Sequence, residues 1–149
     1  MDLQAALGIH QMAKVEEFNA RRTELANLYT ERLRAVPEIR APGLVTYDAL
    51  HSWHLYIVQL DTGALTVDRD GFMQAMAEEN IRTGLHFPAL HLSQHYRQRY
   101  GYEPGSLPAA EHAGSHIISL PLYPLLTEDD IDDVVQALQR VVRAHRRSS

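Results

Sequence analysis

Apolar side chains recur at helical spacing over the first 36 residues of the chain. Their intervals are mostly three, four or seven residues, which places them on one broad face of a helix. Pro37 ends the pattern, because its ring removes a backbone donor and disfavours helical geometry at Val36. We therefore predict one long helix over residues 2–36 that extends past a single core and packs against something else. The apolar positions are Leu3, Leu7, Met12, Val15, Phe18, Leu25, Leu28, Leu33 and Val36.

The middle of the chain alternates short strands with short helices. Residues 37–50 carry Pro and Gly and predict a loop. Asp68 is placed to cap a helix that runs to about residue 79, and Asn80 suits the left-handed residue that follows it. The other predicted elements are strands over 53–60, 81–87 and 117–120 and helices over 93–100 and 108–116.

The last element has the clearest pattern in the sequence. Thr127 is a good N-cap, acidic residues follow it, and arginines crowd the far end, so both charge biases complement the helix dipole. The buried stripe is predicted to be Ile131, Val134, Val135, Leu138, Val141 and Val142.

These elements predict an α/β fold in which helices cover a three-stranded sheet mainly on one face. The predicted division is a long inter-domain helix over 1–36 and a small α/β domain over 37–149.

Composition excludes several classes of protein. Hydrophobic residues make up 45% and charged residues 22% of the 149 positions, as in an ordinary globular domain. A formal charge of −5 argues against a nucleic-acid partner. The absence of Cys excludes disulfides and thiolate chemistry, and no apolar run is long enough for membrane insertion. Lys14 is the only lysine among the 14 basic residues, so chemistry that needs an amine side chain must use it or lie elsewhere.

Histidine supplies most of the candidate chemistry, with nine copies. His91 with His95 and His112 with His116 are spaced four apart, which on a helix brings two imidazoles to one face. Neither pair has the Glu of a zinc-protease motif or an obvious third ligand. A metal site and ordinary surface or packing histidines both remain open.

Two further clusters combine histidine with aromatic residues and glycine. Residues 51–54 (His-Ser-Trp-His) enter a predicted strand and could stack on a planar ligand or simply bury an aromatic ring. Residues 83–91 contain Gly84 and His86 at a predicted strand end, where α/β sheets tend to bind ligands.

Taken in order, several segments resemble the DegT/DnrJ/EryC1/StrS family of sugar aminotransferases. The resemblance covers essentially the whole chain. The segments are Asp-Leu-Gln-Ala-Ala-Leu-Gly at 2–8, Asn-Ala-Arg-Arg at 19–22, His-Ser-Trp-His-Leu-Tyr at 51–56, Thr-Gly-Leu-His-Phe at 83–87 with His91, and Ser-Leu-Pro-Leu at 119–122.

The resemblance implies a fold-type I enzyme dependent on pyridoxal 5′-phosphate (PLP). Within the family, the motifs at 51–56 and 84–87 are most similar to enzymes that transfer an amino group from glutamate to a UDP-4-keto-pentose for lipid A modification and polymyxin resistance. It also implies a cytoplasmic homodimer whose partners are a UDP-sugar and glutamate or 2-oxoglutarate.

The resemblance places this chain in the C-terminal part of the family's longer proteins, without the large PLP-binding domain. It implies that His86, His91, Trp53 and His54 face the substrate. Lys14 lies in no motif for a Schiff base, so we expect no catalytic or cofactor-binding residue here and no activity from the chain alone. The alternatives are a non-catalytic, self-associating interaction domain and a histidine-based metal-binding domain.

Overall fold

The computed structural model describes residues 1–147 as helices around a small antiparallel sheet. The helices are α1 (Asp2–Met12), α2 (Val15–Leu33), α3 (Arg69–Glu78), α4 (Gln94–Tyr100), α5 (Pro108–His116) and α6 (Glu128–His145), with a short 3-10 helix at Leu90–Leu92. The strands are β1 (Ile39–Arg40), β2 (Tyr56–Leu60) and β3 (Ile117–Leu120), in the order β1-β2-β3. The predicted α/β class and three-stranded sheet are confirmed.

The prediction of one uninterrupted helix over 2–36 is wrong at Ala13 and Lys14. The amide of Lys14 donates to the carbonyl of Gln11 at 3.0 Å, a tightened turn that closes α1 before α2 begins. No residue of α1 is buried, so within residues 1–147 no core packing holds α1 in line with α2. Of these two helices, only α2 contributes to the core, through Leu25, Tyr29 and Leu33 among others.

Two of the three predicted strands are present, β3 at the predicted 117–120 and β2 within the predicted 53–60, whereas β1 takes the place of the third. Residues 39–40 lie in the predicted loop, yet Ile39 pairs with Leu60 and Arg40 with Gln59. A strand of two residues has no periodicity to detect. The predicted strand over 81–87 is reduced to a single bridge between Gly84 and Ser119, and the strand predicted from residue 53 begins at Tyr56.

Helices α2 and α3 both pack against α6, and buried residues of all three helices join Tyr56, Val58 and Leu60 of β2 in one hydrophobic core. All six residues of the stripe predicted on α6 are buried. Thr127 caps α6 and forms a reciprocal capping box with Asp130, which satisfies two otherwise unpaired backbone donors.

The opposite face of β2 carries Ile57 and Gln59, because successive side chains alternate across a strand. Helix α5 lies on this side, where Gln59 Nε2 is 2.7 Å from His112 Nε2. The sheet is therefore covered thickly on one face and by one short helix on the other. No helix among residues 1–147 is long and apolar enough to cross a membrane.

Candidate functional site

The segment that contains Gly84 is joined to the free edge of β3. Gly84 donates its amide to the Ser119 carbonyl at 2.9 Å, and Ser119 donates back to the Gly84 carbonyl at 2.8 Å. These two bonds hold residues 82–86 beside the end of the sheet. Residues 54–55, which lead into β2, and residues 121–122, which follow β3, close the other sides.

These segments enclose an open cavity of about 260 Å³, which we call the basic groove. Its charged and titratable side chains are His54, Arg82 and His86, and no carboxylate lines it. Thr83 also lines it, and the Thr83 hydroxyl oxygen is buried with no hydrogen-bond partner among residues 1–147. The remaining lining residues are Leu55, Gly84, Ser119, Leu120, Pro121 and Leu122.

Gly84 permits a close approach by the ring of His86. A Cβ atom added at Gly84 would lie 2.9 Å from His86 Nε2, nearer than van der Waals contact allows. The absence of a side chain at 84 thus sets where the exposed imidazole rests. This explains the glycine that the sequence placed in an extended segment.

The structure brings two of the four predicted site residues together. His86 and His54 both line the basic groove. Trp53 and His91 do not line it. The substrate-facing role of all four residues stays a prediction.

Trp53 is buried and adopts a left-handed backbone with φ of 47°. Its ring lies between those of His51, at a centroid distance of 4.2 Å, and Tyr56, at 5.8 Å. It forms part of a separate apolar cavity of about 340 Å³ beneath residues 42–51. Its position supports the turn that delivers His54 to the basic groove.

His91 is buried in the 3-10 helix, where its Nε2 lies 2.9 Å from Glu111 Oε1. Glu111 also accepts hydrogen bonds from the amides of Gly105 and Leu107. These backbone bonds, led by that of Gly105 and joined by His91, hold the pKa of Glu111 below its usual value. Through Glu111, the loop before α5 is thus connected to the 3-10 helix that carries His91.

Sequence reasoning missed Arg82, the one permanently charged side chain of the basic groove. A usable signal was present. Arg82, Gly84 and His86 are spaced two apart, which in an extended segment places them on one side. The predicted strand over 81–87 contained that alternation.

The sequence model of the DegT/DnrJ/EryC1/StrS aminotransferase family matches residues 1–139. The chain belongs to this family.

Individual relatives agree with the family assignment. The chain is 37% identical over 143 residues to the spore coat polysaccharide biosynthesis protein SpsC of Bacillus subtilis, covering 95% of this chain and 36% of SpsC. The aminotransferase TlmJ from Streptoalloteichus hindustanus superposes with a TM-score of 0.83 at 28% identity, over 96% of this chain and 37% of TlmJ. S. venezuelae DesV superposes with a TM-score of 0.81 at 30% identity, over 92% of this chain and 35% of DesV. The chain thus spans little more than a third of the length of these relatives.

The residues present do not by themselves fit PLP. Lys14, the only lysine of the sequence, is exposed at the turn between α1 and α2 and lines none of the cavities described here. An amine that forms a Schiff base needs a site that desolvates it and holds the cofactor. The solvated position of Lys14 offers neither.

Substituting Gly84 with Ala is expected to displace the imidazole of His86 while the fold persists, because the obstructed atom is the end of a mobile side chain. The histidine side-chain NMR resonances of Gly84→Ala should therefore change at His86. Gly43→Ala is the matched control, since a Cβ there meets nothing within 4 Å. Unchanged His86 resonances in Gly84→Ala would contradict the close approach.

The lowered pKa of Glu111 predicts a stability difference that depends on pH. A carboxylate whose pKa is lower in the folded than in the unfolded state stabilises the fold fully above its ordinary value of 4.5, and this contribution is lost as pH falls through the folded-state pKa. Gln cannot titrate. The free energy of unfolding of the parent should thus exceed that of Glu111→Gln at neutral pH, and the gap should narrow in acid.

Urea unfolding of the parent and of Glu111→Gln, from neutral pH down to below the ordinary glutamate pKa of 4.5, provides the measurement. Glu17→Gln, on the exposed side of α2, is the control and should show no comparable trend. A gap between the parent and Glu111→Gln that stays constant with pH would show that the folded protein does not lower the pKa of Glu111.

Proposed function

We propose that this chain is the C-terminal domain of a PLP-dependent nucleotide-sugar aminotransferase and that its basic groove binds the diphosphate side of the sugar nucleotide. The observation that carries the proposal is the grouping of His54, Arg82 and His86 in one cavity without a carboxylate. Such a set favours an anionic ligand, even though the whole chain has a formal charge of −5.

Each group in the groove has a chemical role suited to that ligand. Arg82 offers a planar set of donors to phosphate oxygens. His86 donates to a sugar hydroxyl or to the diphosphate, and protonation strengthens the second of these bonds. His54, at the entrance to β2, offers a second imidazole from the opposite wall of the groove.

The substrate we propose is a UDP-4-keto-pentose, with glutamate as amino donor and a role in lipid A modification. The support for this particular substrate is the resemblance at residues 51–56 and 84–87. The relative SpsC supports only the broader role in polysaccharide biosynthesis, because it is a protein of spore coat polysaccharide biosynthesis. PLP would supply the carbonyl-exchange chemistry when bound, and the residues of this chain do not by themselves form its site. We expect the isolated chain to be inactive. We propose that residues 1–36 are the inter-domain helical segment and residues 37–149 the small α/β domain, with α2 packed into the core of that domain.

Titration of the isolated chain with UDP should shift the side-chain NMR resonances of His54 and His86 in a saturable manner. Uridine, which lacks the diphosphate, should bind more weakly. Arg82→Gln should weaken UDP binding roughly ten- to a hundredfold, the value of a hydrogen bond to a charged group. His95→Gln is the control, because His95 lies on α4 outside the groove.

Two outcomes would contradict the proposal. Equal affinity for uridine and UDP would show that the groove does not bind the diphosphate. Shifts that map to histidines outside the groove would place the nucleotide elsewhere.

We further propose that the chain self-associates through α1. Leu3, Leu7, Ile9 and Met12 are 60–72% exposed, and α1 buries no residue. A helix of 11 residues has little stability in water without packing, so α1 requires a partner surface. A second copy of this chain provides one, in keeping with the homodimer that the resemblance implies.

Light scattering should therefore show a mass that rises with concentration, and Leu7→Gln should shift the chain toward monomer. Leu125→Gln is the matched control, because Leu125 is 85% exposed on the loop before α6. A monomer at all concentrations, or equal effects of both substitutions, would refute association through α1.

A further inference from the structure

The two histidine pairs with a spacing of four residues have different environments in the folded chain. His91 is buried against Glu111 in the 3-10 helix, and His95 lies on α4 with its ring edge-on to Tyr96. His112 and His116 both lie on α5, and their rings stack at a centroid distance of 4.0 Å with an interplanar angle of 27°. Only the second pair places two imidazoles side by side.

Hydrogen bonding selects the tautomer of His116. Its Nδ1 lies 2.7 Å from the carbonyl oxygen of His112. A carbonyl oxygen can only accept, so Nδ1 carries the proton and donates, and Nε2 keeps its lone pair. Metal-binding histidines typically make this second bond to a backbone carbonyl, because it fixes the ring and leaves the other nitrogen as the ligand.

The second imidazole has a contact that a ligand can displace. His112 Nε2 lies 2.7 Å from Gln59 Nε2, at the tip of a flexible side chain on β2. Both rings line an open cavity of about 290 Å³, which Glu38, Arg40 and Asp61 also line. This cavity shares no lining residue with the basic groove, so it forms a separate site.

We propose that His112 and His116 form a two-imidazole site for a late first-row divalent metal ion such as Zn²⁺, Ni²⁺ or Cu²⁺. Helical spacing of four residues lets both Nε2 atoms reach one ion once Gln59 turns away. Among residues 1–147 no set of three His, Cys, Asp or Glu side chains is placed to hold a metal, so water fills the remaining positions. Cu²⁺ binds most tightly, and Mg²⁺, which prefers oxygen ligands, does not bind.

The test is calorimetric titration of the chain, free of any histidine tag, with ZnCl₂, alongside NMR of the histidine side chains. We expect saturable binding of one ion, with shifts concentrated at His112 and His116. His112→Gln and His116→Gln should each lower the affinity at least about tenfold, since losing even an outer-shell partner of a ligand costs that much. His95→Gln, which removes an exposed histidine from α4, should leave the affinity unchanged.

A second arm uses the parent protein, so the result does not depend on a variant folding. Substoichiometric Cu²⁺ should broaden the resonances of His112 and His116 before those of the other histidines. Gln59→Ala should bind zinc more tightly, because the competing contact to His112 is removed.

Four outcomes would each overturn the proposal. They are the absence of saturable zinc binding, copper broadening centred on other histidines, undiminished zinc affinity in His116→Gln, and binding of Mg²⁺ as tight as that of Zn²⁺. None of these outcomes bears on UDP binding, which concerns the other cavity.

Discussion

The stacking of Tyr29 on Tyr56 joins the elements on which the basic groove depends. The two rings lie 4.9 Å apart at 27°, which packs α2 against β2 in the core. Tyr29 also donates its hydroxyl proton to the carbonyl of Pro121 at 2.9 Å, just after β3. Burial raises the pKa of Tyr29 far above its ordinary value, so the hydroxyl remains a donor throughout the useful pH range. One side chain thus fixes a helix, a strand and one wall of the groove.

Tyr56, the second ring of this stack, supports the wall of the groove that carries His54. The Tyr56 hydroxyl lies 2.8 Å from Thr30 Oγ1, so β2 is held to α2 at both the ring and the oxygen. Trp53 packs on Tyr56, and its left-handed backbone turns the chain just before His54. The groove is therefore positioned by a buried aromatic cluster, although its own polar side chains are exposed. Rigid support beneath an exposed polar site is what precise ligand contacts require.

Sequence patterns predicted the elements whose stability is local and amphipathic. Helix α6 carries its charge gradient and its buried stripe within 18 residues, directly after its cap Thr127, so no distant contact was needed to recognise it. β1 and the break at Ala13 and Lys14 depend on tertiary contacts that no local pattern encodes. Two residues form β1 because β2 lies beside them, and among residues 1–147 no buried contact of α1 holds it in line with α2.

The site was predicted in part for the same reason. Gly84 and His86 formed a recognisable local motif, and His54 belonged to another, so both groups were found. Their meeting depends on the bridge from Gly84 to Ser119, a contact across 35 positions of sequence. Arg82 shares the two-residue alternation of Gly84 and His86, but one arginine among the 13 in the chain did not stand out until that bridge placed it in the groove.

The charges of this domain are consistent with a division of chemical work. A lone exposed lysine and a carboxylate-free groove agree with the proposed role in binding an anionic ligand rather than in forming a covalent bond with it. Recognition of this kind needs preorganised donors, and the backbone positions two of the three: Gly84 sets the place of the His86 ring, and the turn at Trp53 presents His54. The net charge of −5 resides on other surfaces, most visibly in the acidic first turn of α6. Charge segregation within one small domain can thus draw an anion to the groove while the molecule as a whole stays acidic.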